Sequence, residues 1–566
     1  MIQSDQVQQI LKRMEYGKQI RQWWESNLWN PVIDLLFPQM GSMLSGAYIN
    51  EGEKRGSKAY DGTPEWAAEV CTSGMYNGLV PENYKWFKWK IEPDWLNEVD
   101  EVKRVMEERE NIAMKYLYNS NFPDETKQAF RQCSALGTAI KWREKDPEKV
   151  FRFEVLKLSN CVILENRYGK VDTLFRECKW TARNAFKEWG DKCPESVKSA
   201  VNSGNMDQQF DFVHAILPRD DFGLTRDDRL RDNKNMPWAE FWIDPGTKNV
   251  MAEGGFRLFP ASVWRWEKIP GDFSPYGRGP GIKALQDMGA LNAQEKMNMV
   301  AGEKMVEPAV MIPEGFEKFV NLNPRGRNRY NQVETGGAVI AAISEVRSLP
   351  YALDMQERKS QAVRRRFYVD AFLMLSDYQG SADRTVIEIM ERKQEKLQIL
   401  GPMLGTQKIE HLDADLDDIW RMLEESGKFP PLPDIVYEYA ENVTTEYESP
   451  LLTAQKKNES SAATRVYQVA GVISQAKGGD MEVFDNLDDD ETIRMFAERE
   501  GAPTKILRKV EDRDARRQAR ADQAQQQIAL EQSMAAVQAA QQLGQISTKP
   551  DEPNALTDVV GGMTQQ

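Results

Sequence analysis

Histidine is almost absent from this chain: His214 and His411 are the only two among 566 residues. A Ser/His/Asp triad or a multi-histidine metal centre is therefore nearly excluded, and His411, which lies in a helical pattern, is expected to have a surface or packing role. Cysteine is scarce as well, with five residues at 71, 133, 161, 178 and 193. An odd number without CxxC spacing suits free thiols in a reducing compartment better than disulfides or zinc. No apolar run approaches the ~18 residues that span a bilayer, and the opening MIQSDQVQQILKRM has no apolar export core, so neither export nor membrane insertion is expected. Basic charge is short too. The 74 Lys+Arg against 88 Asp+Glu leave a net charge of −14, a surface that as a whole repels phosphate and argues against a DNA-wrapping protein. The phosphate loop GxxxxGK(S/T) is missing: its nearest approach, GRGPGIK at 277–283, has the wrong spacing and no closing hydroxyl.

What is present is a hydrophobic share of 41% in a chain long enough for three or four domains, the profile of a soluble globular protein with polar accessory segments. Helical spacing of Val7, Ile10, Leu11 and Met14 predicts a helix to about Leu36, and a second helix is expected with Thr63 as its cap, Pro64 in first position and Gly78 and Pro81 closing it. Trp86 to Ile91 alternates as a strand does, and helices are expected at 98–120 and 124–139. From Phe151 to Trp266 runs such as FRFEVLKL and CVILENRYGKVDTLFREC predict an antiparallel β region.

After SPYGRGPG, residues 281–305 form a proline-free helix of roughly 37 Å that ends before Pro308. Strand-like pieces surround the basic turn NLNPRGRNRY, and a second proline-free helix is expected at 353–377. A short loop leads to a long helix from near Thr385, bent at Gly401 and Pro402. DIVYEYA then looks strand-like, and a helix follows at about 450–475. Thr504 to Leu543, rich in Gln and Ala, is expected to be a helix of about 60 Å whose sparse apolar residues call for copies of itself, and the last twenty residues read as a disordered tail.

Two charged runs need weighing. In HLDADLDDIWRMLEE the acids Asp413, Asp415, Asp417 and Glu424 fall at calcium-loop positions, but Asp418 stands where the turn glycine belongs. Leu412, Leu416, Ile419, Trp420 and Leu423 share one helical stripe, so the acids are expected to be its solvated face. DNLDDDE at 485–491 is expected around a helix N-terminus. Arg364, Arg365 and Arg366 fan across about 200° of a helix and form no phosphate clamp, which leaves inter-subunit or solvated roles, with DNA proximity as the alternative. Lys318, Arg325, Arg327 and Arg329 concentrate charge between the two long helices, as a solvated turn or a site for an acidic partner.

Five motifs, YDGTPEWAAEVCTSGMYNGLVPENYKWF, YGKVDTLFRECKWT, FPASVWRWEKIPGDFSPYGRGPGIKALQDMGALN, EKMVEPAVMIPEG and RTVIEIMERKQEKLQILGPMLG, run in order over residues 60–405. In that order they resemble the portal proteins, or head-to-tail connectors, of short-tailed bacteriophages. The resemblance implies a predominantly helical α+β portal fold in a dodecameric ring. It places an N-terminal wing at 1–270, a first stem helix at 271–307, a clip at 308–350, a second stem helix at 351–377, a tunnel loop at 378–383 and a wing return at 384–450. A crown at 451–503, a barrel helix at 504–546 and a disordered tail at 547–566 complete it. The tunnel loop is Tyr378, Gln379, Gly380, Ser381, Ala382 and Asp383. The clip docks partners through Lys318, Arg325, Arg327 and Arg329, and Arg364, Arg365, Arg366 and Arg384 are DNA-proximal or inter-subunit. Implied partners are other copies of the chain, double-stranded DNA in the bore, the terminase large subunit, a tail adaptor, the major capsid protein and a scaffolding protein, with no membrane. No cofactor, metal or catalytic residue is expected, ATP hydrolysis belonging to a separate terminase. The place is the virion head–tail junction, after assembly in the host cytoplasm. The alternatives are a metal-dependent nuclease using the acidic residues and an ejected or membrane-bound virion protein.

Overall fold

Val7, Ile10 and Met14 line the buried face of α1 (Ser4–Trp24), which runs through a π-helical turn, Glu25–Trp29, into α2 (Asn30–Leu36). The structure is a computed structural model that describes residues 4–38, 59–82, 85–223, 232–271, 274–306, 310–311, 341–342, 349–376, 405, 408–447, 466–475, 482–490, 492–494 and 510–544. It divides into two units, Met1–Val466 and Tyr467–Gln566.

In the first unit α3 spans Thr63–Leu79 with Pro64 in its first turn. Thr63 is not the cap. The Asp61 carboxylate accepts the Thr63 N–H at 2.6 Å, and a full negative charge at a helix N-terminus displaces the weaker hydroxyl from that role. The predicted strand is β1 (Phe87–Glu92), and the two helices after it are α4 (Asp100–Asn119) and α5 (Phe122–Leu136).

The β region starts earlier than expected, with β2 (Thr138–Asp146) ahead of Phe151, and goes on through β3 (Val150–Val155), β4 (Cys161–Glu165) and β5 (Val171–Thr181). It continues with β6 (Gln209–Pro218), β7 (Trp238–Ile243), β8 (Val250–Phe256) and β9 (Ala261–Arg265). Every pairing is antiparallel, in the orders β4-β5-β6-β7-β8 and β3-β2-β9. Two short amphipathic helices interrupt it, α6 (Ala182–Trp189) and α7 (Glu195–Asn202), which bury Ala185, Trp189 and Val197 against Phe212 and Met251 of the sheet. The edge strand β3 is closed by side chains: Asn121 Oδ1 accepts from Phe153 N at 3.0 Å and Glu125 Oε2 from Val155 N at 2.7 Å.

Beyond the sheets come α8 (Pro280–Val306), β10 (Val310–Met311) paired with β11 (Ala341–Ala342), α9 (Leu349–Arg366) and α10 (Val369–Ser376). The second long helix was expected to be continuous but breaks at Phe367–Tyr368, where Tyr368 adopts φ +57°. Burial of Phe367, Val369 and Phe372 turns the chain there, a demand that a proline-free composition does not reveal. A second π-helical turn, Lys408–Leu412, leads into α11 (Asp413–Glu425). DIVYEYA is not a strand but α12 (Asp434–Tyr439), started by Pro433 and Asp434; the ladder partner of β1 is instead β12 (Asn442–Tyr447). Six residues are too few for period 2 and period 3.6 to be told apart.

In the second unit α13 (Val510–Gly544) is a helix of 35 residues, about 52 Å long. Asp490 holds its first turns, accepting from Arg513 Nη1 at 2.9 Å and from Arg517 Nη1 and Nη2 at 2.6 and 2.7 Å. The bend at Gly401–Pro402, residues 450–465 and the C-terminal tail lie outside the described residues.

Candidate functional site

In the first unit α8 and α9 pair as a helical hairpin. Ala, Gln, Met, Glu and Lys favour helix throughout α8, and its root buries Ile282, Ala284, Met288 and Leu291 in the main core. Asp287 lies 3.5 Å from Lys359 and 3.7 Å from Arg366, and Asn298 Nδ2 donates to Gln356 Oε1 at 2.8 Å, so the helices run antiparallel. Beyond the root the character changes. Met297 (64% exposed), Met299, Val300, Met305, Val306, Tyr351 and Leu353 all face solvent. The two helices carry eight Lys/Arg and five Asp/Glu, a positive balance in an acidic chain.

Arg364 stacks its guanidinium over Trp66 at 5.3 Å, Arg366 reaches Asp287, and Arg365 is exposed without an ion pair among the described residues. Lys318, Arg325, Arg327, Arg329, Arg384 and the whole of 378–383 lie outside the described residues.

The glycine turn launches the hairpin by close packing. Gly137 ends α5 at φ +78°, and the turn settles on that helix's last carbonyls: a Cβ on Gly277 would meet Gly137 O at 2.6 Å, one on Gly279 would meet Cys133 O at 2.6 Å, and one on Gly281 would meet Ala135 O at 2.4 Å. The positive end of α8 therefore abuts the negative end of α5. Protein backbone fills the space that a phosphate loop keeps open. Tyr276, just before the turn, is clasped by Trp24 and Trp29, with ring centroids 5.8 and 5.0 Å away.

Behind the hairpin root lies an ion cluster that corrects the expectation of a solvated acidic face on α11. Asp415 and Asp418 are 1% and 2% exposed. Lys141 Nζ, fully buried, sits 2.5 Å from Asp415 Oδ2, 2.8 Å from His411 Nε2 and 3.1 Å from Thr126 Oγ1. Arg143 Nη1 donates to Asp415 Oδ1 at 2.8 Å and its Nε to Asp418 Oδ2 at 3.0 Å, while Arg421 Nε donates to Asp418 Oδ1 at 3.0 Å. His411 lies flat on Trp264, centroids 3.7 Å apart. Next to it Arg265 donates its backbone N–H and its Nε to Glu410 Oε2 at 2.9 and 3.1 Å. The missed signal is on β2: Lys141 and Arg143 share one face of a strand that is otherwise apolar from Ala139 to Trp142, and a cation on a core strand demands an anion from elsewhere.

Burial works to raise the Asp415 carboxyl, but Lys141, His411 and Arg143 outweigh it and hold it far below the usual range. Burial, then Lys141, lowers His411 to about 4. The unfolded chain thus protonates His411 first as pH falls, so its stabilisation is complete above ~6.5 and is lost toward 4, about 3 kcal/mol in all. Asp417, raised to about 6 by burial and by Asp413, works in the opposite sense. Comparison with a variant isolates the histidine: from pH 6.5 to 4.5 the wild type should lose more urea resistance than His411→Gln, which keeps an acceptor for Lys141. Parallel losses would contradict the assignment.

Among the described residues no group of three or more His, Cys, Asp and Glu side chains is arranged to hold a metal ion, and no helix is long and apolar enough to cross a membrane.

The family model described as bacteriophage head to tail connecting protein matches residues 7–507. A probable portal protein of Bordetella phage BPP-1 is 28% identical, and the portal protein of Salmonella phage epsilon15 27% identical, each across 99% of both chains. Among solved structures, a chain from the neck of an empty gene transfer agent particle aligns with TM-score 0.36 and 11% identity over 72% of this chain and 87% of that one. A chain from the virion of a native gene transfer agent aligns with TM-score 0.31 and 12% identity over 70% and 88%.

Proposed function

The chain belongs to the bacteriophage head to tail connecting protein family, and from that premise we propose its working form: a portal, a closed ring of copies at the head–tail junction of a tailed-phage virion through which double-stranded DNA is packaged and ejected. The observation that carries the ring is the outer half of the α8–α9 hairpin. Seven large apolar side chains face solvent there in the single chain, and a closed ring of side-by-side copies covers them. Twelve copies is the number that family resemblance supplies.

DNA has to slide through such a ring. Each phosphate neutralised and each counterion released deepens binding, so a strongly basic wall would trap the duplex. The hairpin's small excess of basic residues, in a chain of net charge −14, eases the repulsion without creating deep wells. In this reading Arg365 and Arg384 face DNA or a neighbouring copy, and Tyr378 to Asp383 reach the bore. Residues 308–350 dock the terminase large subunit and later the tail adaptor, with Lys318, Arg325, Arg327 and Arg329 giving electrostatic capture. The wing meets capsid and scaffolding proteins during assembly in the host cytoplasm, and residues 504–546 associate as a helical barrel. The acids that prompted the nuclease alternative have another use: Asp415 and Asp418 are spent on buried cations.

Met297→Glu with Val300→Glu tests the ring directly. Both residues lie on one face of α8, and carboxylates there would be buried without partners. Light scattering should fall from the roughly 780 kDa of twelve 64.9 kDa chains to a small species, whereas Met297→Leu should keep full-size particles. Full-size rings from the double variant would remove this face from the interface.

A further inference from the structure

At the outer end of the β1–β12 ribbon two aromatic side chains stand in water without a place in the core. Trp95, in the 3-10 turn Asp94–Glu98, is 45% exposed, and Tyr439, the last residue of α12, is 49% exposed. Their rings meet edge-on, centroids 5.7 Å apart. The platform beneath is fixed: Asn97 Nδ2 donates to Ile91 O at 2.7 Å, Asn97 Oδ1 accepts from Ile91 N at 2.9 Å, and Glu441 N donates to Glu92 O at 2.9 Å. A pre-ordered aromatic surface loses little freedom on binding.

The two segments that carry the rings are charged with one sign, although Glu446 is already paired with Lys90 of β1 at 2.7 Å. Residues 92–101 hold five acids and residues 434–446 hold four, with no Lys or Arg in either segment. Glu92, Asp94, Glu98, Glu438 and Glu441, which flank the two rings in sequence, are exposed and form no ion pair among the described residues.

We propose that this surface is a docking site for a cationic, arginine-bearing segment of another protein. A guanidinium satisfies both features at once, stacking on an aromatic face while donating to carboxylates in a planar fork. The chain already uses that chemistry internally: Arg109 lies over Trp420 at 4.8 Å and over Phe429 at 5.0 Å, 3.5 Å from Glu424. An apolar segment would strand the acids, and a second copy presents a surface of the same net sign. The proposal is independent of the ring.

Fluorescence anisotropy of a labelled nona-arginine peptide on the full-length chain tests it. A chain of net charge −14 attracts any polycation diffusely, so the decisive variant leaves every charge in place. Trp95→Ala with Tyr439→Ala should weaken nona-arginine binding about tenfold, and nona-lysine should bind the wild type several-fold less tightly than nona-arginine. Trp95→Tyr with Tyr439→Phe should bind nearly as the wild type does, showing that the platform tolerates substitution. Glu438→Gln with Glu441→Gln should weaken binding and flatten its salt dependence. Equal nona-arginine affinity for the alanine variant and the wild type would reduce the effect to diffuse attraction and overturn the proposal. Loss of oligomer size in the alanine variant would overturn it as well, by giving the surface to a neighbouring copy.

Discussion

Asp415→Asn should destabilise the first unit by about 3–5 kcal/mol, the cost of leaving a buried charge without its counter-ion. Lys141 is fully buried and has Asp415 as its closest anion among the described residues, with the neutral acceptors His411 and Thr126 beside it and Glu125 acting from farther off, while Arg143 keeps Asp418. The Lys141 ammonium must then shed its proton or admit water, and either opens the joint between β2, β9 and α11. The pair itself is not expected to be worth that much. Exchanging both partners for apolar residues, as in Lys141→Met with Asp415→Leu, should cost clearly less than the single change, because no uncompensated charge remains. Urea unfolding at one protein concentration, with soluble yield as a second readout, separates the two outcomes. A loss below ~1 kcal/mol for Asp415→Asn would mean that the cluster is wetter and looser than its geometry implies.

Gly279→Ala should be nearly as damaging, and through packing alone. The added Cβ would stand 2.6 Å from Cys133 O and 2.9 Å from both Gly137 N and Ser134 O, all backbone atoms that no side-chain rotation can move aside. Overpacking of this kind costs about 1–3 kcal/mol and sometimes more, and here it also tilts the first turn of α8 away from α5. Because α8 amplifies a small tilt over its length of about 40 Å, ring assembly should fail before the fold does. Gly289 supplies the matched control on the same helix. A Cβ there meets nothing within 4 Å, so Gly289→Ala should be neutral in assembly and slightly stabilising through helix propensity. Normal rings from Gly279→Ala would show that the turn gives way more easily than its contacts indicate.

Periodic patterns carried much of the fold. The buried faces of α1 and α11, the proline-free length of α8, the alternation of β1 and the glycine turn before α8 are local properties of consecutive residues, and the ordered motifs over residues 60–405 led to the family independently of any contact. Arg364, Arg365 and Arg366 fan around α9 as three successive helical residues must.

Other features depended on which distant residues meet. Whether Asp415 faces water or Lys141 is decided across more than 270 residues of chain, and nothing near Asp415 in sequence carries the cation. Tyr368 breaks an otherwise unremarkable helix because Phe367 and Phe372 are drawn into the core, Phe372 against Gly74 of α3, and α12 takes six ambiguous residues because β1 already has its partner in β12. The sequence by itself determined the α+β class, the hairpin of long helices and the family, since propensity, periodicity and composition act locally along the chain. Only the tertiary structure decided which charges are buried, where the second long helix bends and which aromatic side chains are left in water, because each of these is settled by a desolvation cost met by residues far apart in sequence.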